Sequence, residues 1–150
     1  MASDEKQTGR PSSYTEETAD KICERIADGE SLRTICLDDD MPNKSTVFRW
    51  LANIETFKDQ YAHAREAQAD TYVDEIADIA DDASNDWMAK NDPANEGLAL
   101  NGEHIQRSRL RIDARKWMAG KLRPKKYGEK LDLNHGGTVN VTLESDADRL

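Results

Sequence analysis

Apolar residues recur along this chain in three short helical runs, then in long ones, and finally in alternation. Ala19, Ile22, Cys23 and Ile26 fall at steps of three and four and predict a first helix from about Tyr14 to Asp28. Ser13 with Glu16 three places on reads as its capping box, and Gly29 stands where a C-terminal cap belongs. Leu32, Ile35 and Cys36, behind Ser31 as N-cap, give a second helix too short to stand without neighbours. The run Asp38-Asp39-Asp40 and then Met41-Pro42-Asn43 break it, and a third helix begins with Asn43 as its cap. Phase divides that helix: Val47, Trp50, Leu51 and Ile54 form a core face, while Lys44, Ser45, Phe48, Arg49 and Ala52 form an outer one. Three short helices joined by two tight breaks are the helix-turn-helix plan, in which the third helix is free to enter a DNA groove.

From Glu55 to Asp82 the chain has neither Pro nor Gly, and Phe57, Tyr61, Ala64, Gln68, Tyr72, Ile76 and Ile79 keep helical spacing. This is one long helix whose stripe suits a helical hairpin or a subunit contact, with Phe57, Tyr61, Tyr72 and Ile76 as candidate oligomerisation residues. Turn formers crowd Ser84 to Gly102, which reads as a connecting loop pinned to the helices by Trp87 and Met88. Glu103 to Leu122 is helical again and runs back antiparallel until Pro124 ends it. Leu131 and Leu133, then Val139, Val141 and Leu143, alternate with polar residues on either side of a turn, the pattern of a β-hairpin. Two strands alone are marginal in water and leave two open edges, so copies of the hairpin closing into an intersubunit barrel are expected. The expected fold is therefore mainly α: an arm (1–12), a helix-turn-helix domain (13–54), a helical oligomerisation domain (55–128) with loop 84–102, a barrel-forming β-hairpin (129–143) and a tail (144–150).

Charge changes this picture more than composition does. The 150 residues carry 21 Lys and Arg against 30 Asp and Glu, a net −9, and 37% are hydrophobic, which suits one modest domain or a small domain with an oligomerisation element. Residues 55–102 hold three cations and twelve acids, whereas residues 103–130 hold ten cations and three acids. Two helices of opposite sign lying against each other would explain that, as would a basic surface for a polyanion. No window approaches the roughly 18 apolar residues of a membrane span, and the polar start lacks a secretory signal, so no membrane and a cytoplasmic setting are expected. Cys23 and Cys36 stand apart and His63, His104 and His135 are scattered, so neither a disulfide framework nor a metal is expected. Phosphate-loop, HExxH and GxSxG motifs are absent. The reading is of a non-enzyme with no catalytic residue and no cofactor.

DNA binding rests on the outer face of the third helix, with Arg10 in its Gly-Arg-Pro setting as a minor-groove candidate. A net −9 is unfavourable for a monomer on DNA, because affinity comes largely from counterions released by Lys and Arg; several copies in a ring would restore it through effective concentration. The alternatives are a helix-turn-helix transcriptional regulator or transposase-like module, which predicts a dimer, and an oligomeric adaptor whose helix-turn-helix only packs.

The blocks GRPSSYTEETADKIC, GESLRTIC and MPNKSTVFRWLA, with the later RLRIDARKWMAGKLRPKKYGEK, resemble the small terminase subunits of tailed bacteriophages, in the branch typified by phage Sf6. The likeness spans about Gly9 to Lys130, and loop 84–102 is longer than the family pattern. It implies a ring of about eight subunits with peripheral helix-turn-helix domains, central long helices and a shared β-barrel. It also implies recognition of double-stranded viral DNA at the packaging initiation site and its delivery to the large terminase subunit, an ATPase and nuclease, in the host cytoplasm. Carried onto this chain, Lys44, Ser45, Thr46 and Arg49 would contact DNA with Arg10 and Arg33 in support, and the strands with Leu131, Leu133, Val139, Val141 and Leu143 would hold the ring.

Overall fold

The structure, a computed structural model, describes residues 10–129. Helix α1 (Glu16–Ala27), α2 (Leu32–Ile35) and α3 (Lys44–Asn53) form the three-helix unit, and the long α4 (Glu55–Asp81) follows α3 directly. A two-stranded antiparallel sheet, β1 (Trp87–Ala89) and β2 (Leu98–Leu100), connects α4 to α5 (Gly102–Leu122), and a single turn, α6 (Pro124–Tyr127), closes the described chain. The expected helices are present. The hairpin expected at Leu131, Leu133, Val139, Val141 and Leu143 lies outside the described residues, as does the tail.

The cap of α1 is Thr15 rather than Ser13: its side chain accepts from the backbone N–H of Thr18 at 3.1 Å. Tyr14 is thereby kept out of the helix, and its ring stands edge-on to Trp50 and Phe57, at centroid distances of 5.3 and 5.9 Å. Gly29 ends α1 in the left-handed region at φ 104°, with its own N–H donating to Ile26 O and that of Glu30 to Arg25 O, the paired bonds of a Schellman stop. Ser31 caps α2 as expected, accepting from Thr34 N at 3.1 Å.

The core sits where these helices meet the start of α4. Ile22, Ile26, Ile35, Val47 and Phe57 are fully buried, with Ala19, Leu32, Met41, Trp50 and Ala64 around them. Phe57 is therefore not free to form a subunit seam. Phe57 fills the core of its own chain at 0% exposure, and Tyr61 packs partly buried against it. Tyr72 is also taken up internally. Gln68 Nε2 donates to Glu30 O at 2.9 Å, Thr71 Oγ1 to Ala27 O at 2.7 Å and the Tyr72 hydroxyl to Gly29 O at 3.3 Å. One face of α4 thus supplies donors to the carbonyls left free at the end of α1, fixing the three-helix unit to the long helix. Of the four α4 residues proposed for a seam, Tyr61 and Ile76 are half-buried and remain partly open.

The opposite charges of α4 and α5 do meet. Arg115 pairs with Glu75, and Asp70 gathers Arg123 at 2.6 Å, Lys126 at 3.0 Å and the Tyr127 hydroxyl at 2.6 Å. Hydrogen bonds from Tyr127 and Lys126, with the charge of Arg123, hold the Asp70 carboxyl down at about 2. A depressed carboxylate contributes stability that is complete above its unfolded pKa and is lost as pH falls through the folded one. Asp70→Asn is therefore expected to lower the thermal midpoint at pH 5 to 7 and to converge with the parent protein near pH 2. Equal midpoints for the two proteins at pH 6 would contradict it.

The connection at 84–102 departs from the loop expected there. It is a small hairpin whose strands pair Trp87 with Leu100 and Ala89 with Leu98, so that one face carries Trp87, Leu98 and Leu100. Trp87 and Met88 do not pin it to the helices: both are exposed, as are Leu98 and Leu100.

Candidate nucleic-acid interface

The outer face of α3 is built by exclusion. Val47 and Trp50 must be buried to close the core, which turns Lys44, Ser45, Phe48, Arg49 and Ala52 outward, all of them exposed. Lys44 stands at the first position of the helix, with its ammonium 5.5 Å from the centre of the Phe48 ring. Among the described residues Arg49 has only a long 3.4 Å side-chain contact to Thr46 Oγ1, so its guanidinium is free to turn outward. Phe48 is 51% exposed, an unusual place for a ring unless something apolar approaches it.

Thr46 is the exception among the predicted contacts. It is buried at 6% exposure because it lies four residues before the buried Trp50, on the core side of α3, so it does not present its side chain with the others. Arg10 is not a loose arm residue either. Its Nη1 donates to Cys36 O at 2.6 Å and to Asn43 Oδ1 at 3.0 Å, spanning the turn between α2 and α3. That leaves Asn43 without a side-chain capping bond on α3 but brings a guanidinium to the helix N-terminus, beside Lys44. Nothing in the hydropathy pattern could have placed Arg10 there; only its neighbours in space do. Arg33 is exposed on α2 and makes no ion pair among the described residues.

Acids limit how a polyanion could approach. Asp38 is tied to Arg25, which also holds Glu30 through two bonds of 2.8 and 2.6 Å, but Asp39 and Asp40 are exposed in the turn before α3. They stand beside the N-terminus of α3 and offset part of the attraction that Lys44 and Arg10 offer a phosphate there. Among the described residues no three metal-binding side chains converge, and burial, helped by Asp20, pushes the Cys23 thiol up to about 11, far from a reactive thiolate. No described helix is long and apolar enough to cross a membrane.

A three-helix unit with such a face occurs in many DNA-binding proteins, so the fold alone does not choose among them. The family model for bacteriophage Sf6, terminase small subunit-like, matches residues 14–134. The chain belongs to that family. Among solved structures, the chain is similar to the terminase small subunit gp1 of the bacterial virus Sf6, crystallised as several point mutants. Two of these are 40% identical and a third 39%, each covering 91% of this chain and 97% of the other at a TM-score of 0.62. No curated protein matches. The family match spans the three-helix unit, α4, the small sheet and α5 together, which sets the chain among small terminase subunits of the Sf6 type and so in viral DNA packaging.

Proposed function

We propose that this protein is a non-enzymatic, ring-forming component that binds double-stranded viral DNA at a packaging initiation site and hands it to a large terminase subunit in the host cytoplasm. The observation that carries the reading is the face of α3, where Lys44, Ser45, Phe48 and Arg49 are exposed together on a helix whose other side is locked into a core. Family membership turns that face toward packaging rather than toward a transcriptional regulator. Lys44, Arg49 and Arg10 supply phosphate contacts near the helix N-terminus, Arg33 a further one, and Ser45 a hydroxyl for backbone or base edge. Thr46 serves by packing. The domain limits follow this division, with residues 13–54 for DNA and 55–128 for assembly, and an intersubunit barrel from 129–143 adds to the ring.

Fluorescence anisotropy of the intact protein with a labelled mixed-sequence duplex tests the reading. Binding that weakens steeply from 50 to 200 mM salt is expected, since phosphate contacts release counterions. No binding at the lower salt would sink it.

Phe48 adds a specific expectation in the same assay. An exposed ring on a recognition helix fits against the thymine C5-methyl in the major groove. A duplex with uracil in place of thymine is expected to bind the parent protein several-fold more weakly. Phe48→Ala should bind both duplexes alike, and a parent protein indifferent to the methyl would remove this role.

A further inference from the structure

The turn between α2 and α3 carries three consecutive exposed acids, Asp38, Asp39 and Asp40, just before the helix proposed to meet DNA. The cations of that end are Arg10, Arg33, Lys44 and Arg49, so the acids cancel all but one of them. Whether a single acid is loose or tied therefore changes the local surplus severalfold, and with it the attraction for a phosphate.

One of the three is tied. Arg25 stands half-buried in the last turn of α1, where its Nε and Nη2 donate to the two carboxylate oxygens of Glu30 at 2.8 and 2.6 Å and its Nη1 donates to Asp38. An exposed ion pair by itself holds little energy, but the two bonds to Glu30 fix the plane of the guanidinium first, so Asp38 meets a donor already oriented. One planar fork thus joins the α1–α2 connection and the α2–α3 turn to the end of α1, which a single ammonium could not do at both places. Asp39 and Asp40 form no ion pair among the described residues. On the other side of the turn Arg10 holds Cys36 O and Asn43 Oδ1. Burial raises the pKa of the Cys36 thiol against the charges of Arg10 and Lys44, so both cations stand close to the residue two before Asp38. Released from Arg25, the Asp38 carboxylate would be free to turn toward them.

We propose that Arg25 is a positioning residue for the DNA face: by holding Asp38 against α1 it keeps that carboxylate away from approaching phosphates and leaves Lys44 and Arg10 to the duplex. The inference rests on the DNA-binding reading and adds to it a residue that itself touches no nucleic acid. A purely structural Arg25, tying two connections to α1, would matter for stability alone. A plain charge effect would not depend on Asp38. The proposal differs from both in requiring that Arg25 and Asp38 be coupled.

The test is a double-mutant cycle on the full-length protein, read by anisotropy with the labelled duplex at about 50 mM salt. Arg25→Gln is expected to weaken binding about two- to tenfold, the range for one poorly screened charge near a phosphate contact. Asp38→Asn should change the affinity of the parent little, because that acid is already neutralised, yet in the Arg25→Gln background it should restore the parent's affinity. Asp39→Asn, an acid without a partner, should give the same gain in both backgrounds. Arg25→Lys, which keeps the charge and loses the two-ended fork, enters the same cycle with the same signs expected if Arg25→Gln loses helicity by circular dichroism. Arg25→Gln at the parent's affinity overturns the proposal. So does an equal gain from Asp38→Asn in both backgrounds, which would leave Arg25 as one charge among others, and so does a double variant as weak as Arg25→Gln, which would make its role structural. A parent protein that fails to bind the duplex overturns the DNA-binding reading, an outcome separate from these.

Discussion

Phe57→Ala is expected to unfold the three-helix unit rather than to dissociate an assembly. The ring is 0% exposed and stands edge-on or tilted to Tyr14, Trp50 and Tyr61 at centroid distances of 5.9 to 6.1 Å, so it ties the start of α4 to the N-terminal strand of chain and to α3. Truncating a buried Phe costs about 3–5 kcal/mol, through lost transfer energy and the cavity left behind. Loss of the aromatic contacts adds about 0.5–1.5 kcal/mol for each pair beyond area alone. A domain of this size holds only about 5–15 kcal/mol in total. The thermal midpoint should fall by more than about 10 °C, read by circular dichroism, and DNA binding should fall with it because α3 loses its support. A Phe57→Ala protein of normal midpoint but reduced mass would restore Phe57 to a subunit contact.

That case marks how far the sequence was legible. Helical phase separated Val47 and Trp50 from Lys44, Ser45, Phe48 and Arg49 correctly, because burial on α3 follows a single 100° rotation per residue. Phase could also show that Phe57, Tyr61, Gln68 and Tyr72 lie on one stripe of α4. What it could not show was the occupant of that stripe, since an apolar face meets a neighbour in its own chain or another chain with the same periodicity. The occupant here is the end of α1, and it was partly hidden because the contacts are polar: Gln68, Thr71 and Tyr72 donate to backbone carbonyls that carry no residue identity.

The same ambiguity ran the other way on α5. Ile105, Leu110, Ala114, Trp117 and Met118 share one helical segment, yet Leu110 and Trp117 point away from the residues that pack on α4. Two stripes on one helix blur into a single list when the turn angle is not followed residue by residue. The sheet of β1 and β2 was unreadable for another reason. Its strands have three residues each, too few for alternation to stand out against a background of Asn, Asp, Pro and Gly. Thr46 was carried to the DNA face by resemblance, and burial removes it. The Gly-Arg-Pro setting of Arg10 suggests an arm for the minor groove, whereas its bonds to Cys36 O and Asn43 Oδ1 give it a fixed position beside the start of α3 that no spacing rule contains.

Replacing Lys44 and Arg49 together by alanine should weaken DNA binding strongly while leaving fold and mass alone. Both side chains are exposed, neither forms an ion pair among the described residues, and the side-chain contact of Arg49 is a 3.4 Å approach to the buried Thr46, too long to hold much energy, so their removal costs the fold little. Alanine is also the better helix former at both positions, which keeps α3 intact. Each lost phosphate contact weakens binding to every duplex alike and lowers the salt slope by about one. With one subunit engaged, affinity should drop about 10- to 100-fold and the slope of log K against log salt should flatten by about one to two. In a ring the loss repeats at every subunit that touches the duplex, so the measured drop exceeds the single-site figure and its size reports how many subunits engage. Unchanged affinity with unchanged mass would leave the three-helix unit as a packing module and favour the adaptor reading. A drop confined to one sequence, in a protein that sediments as a dimer, would instead favour a regulator with paired half-sites.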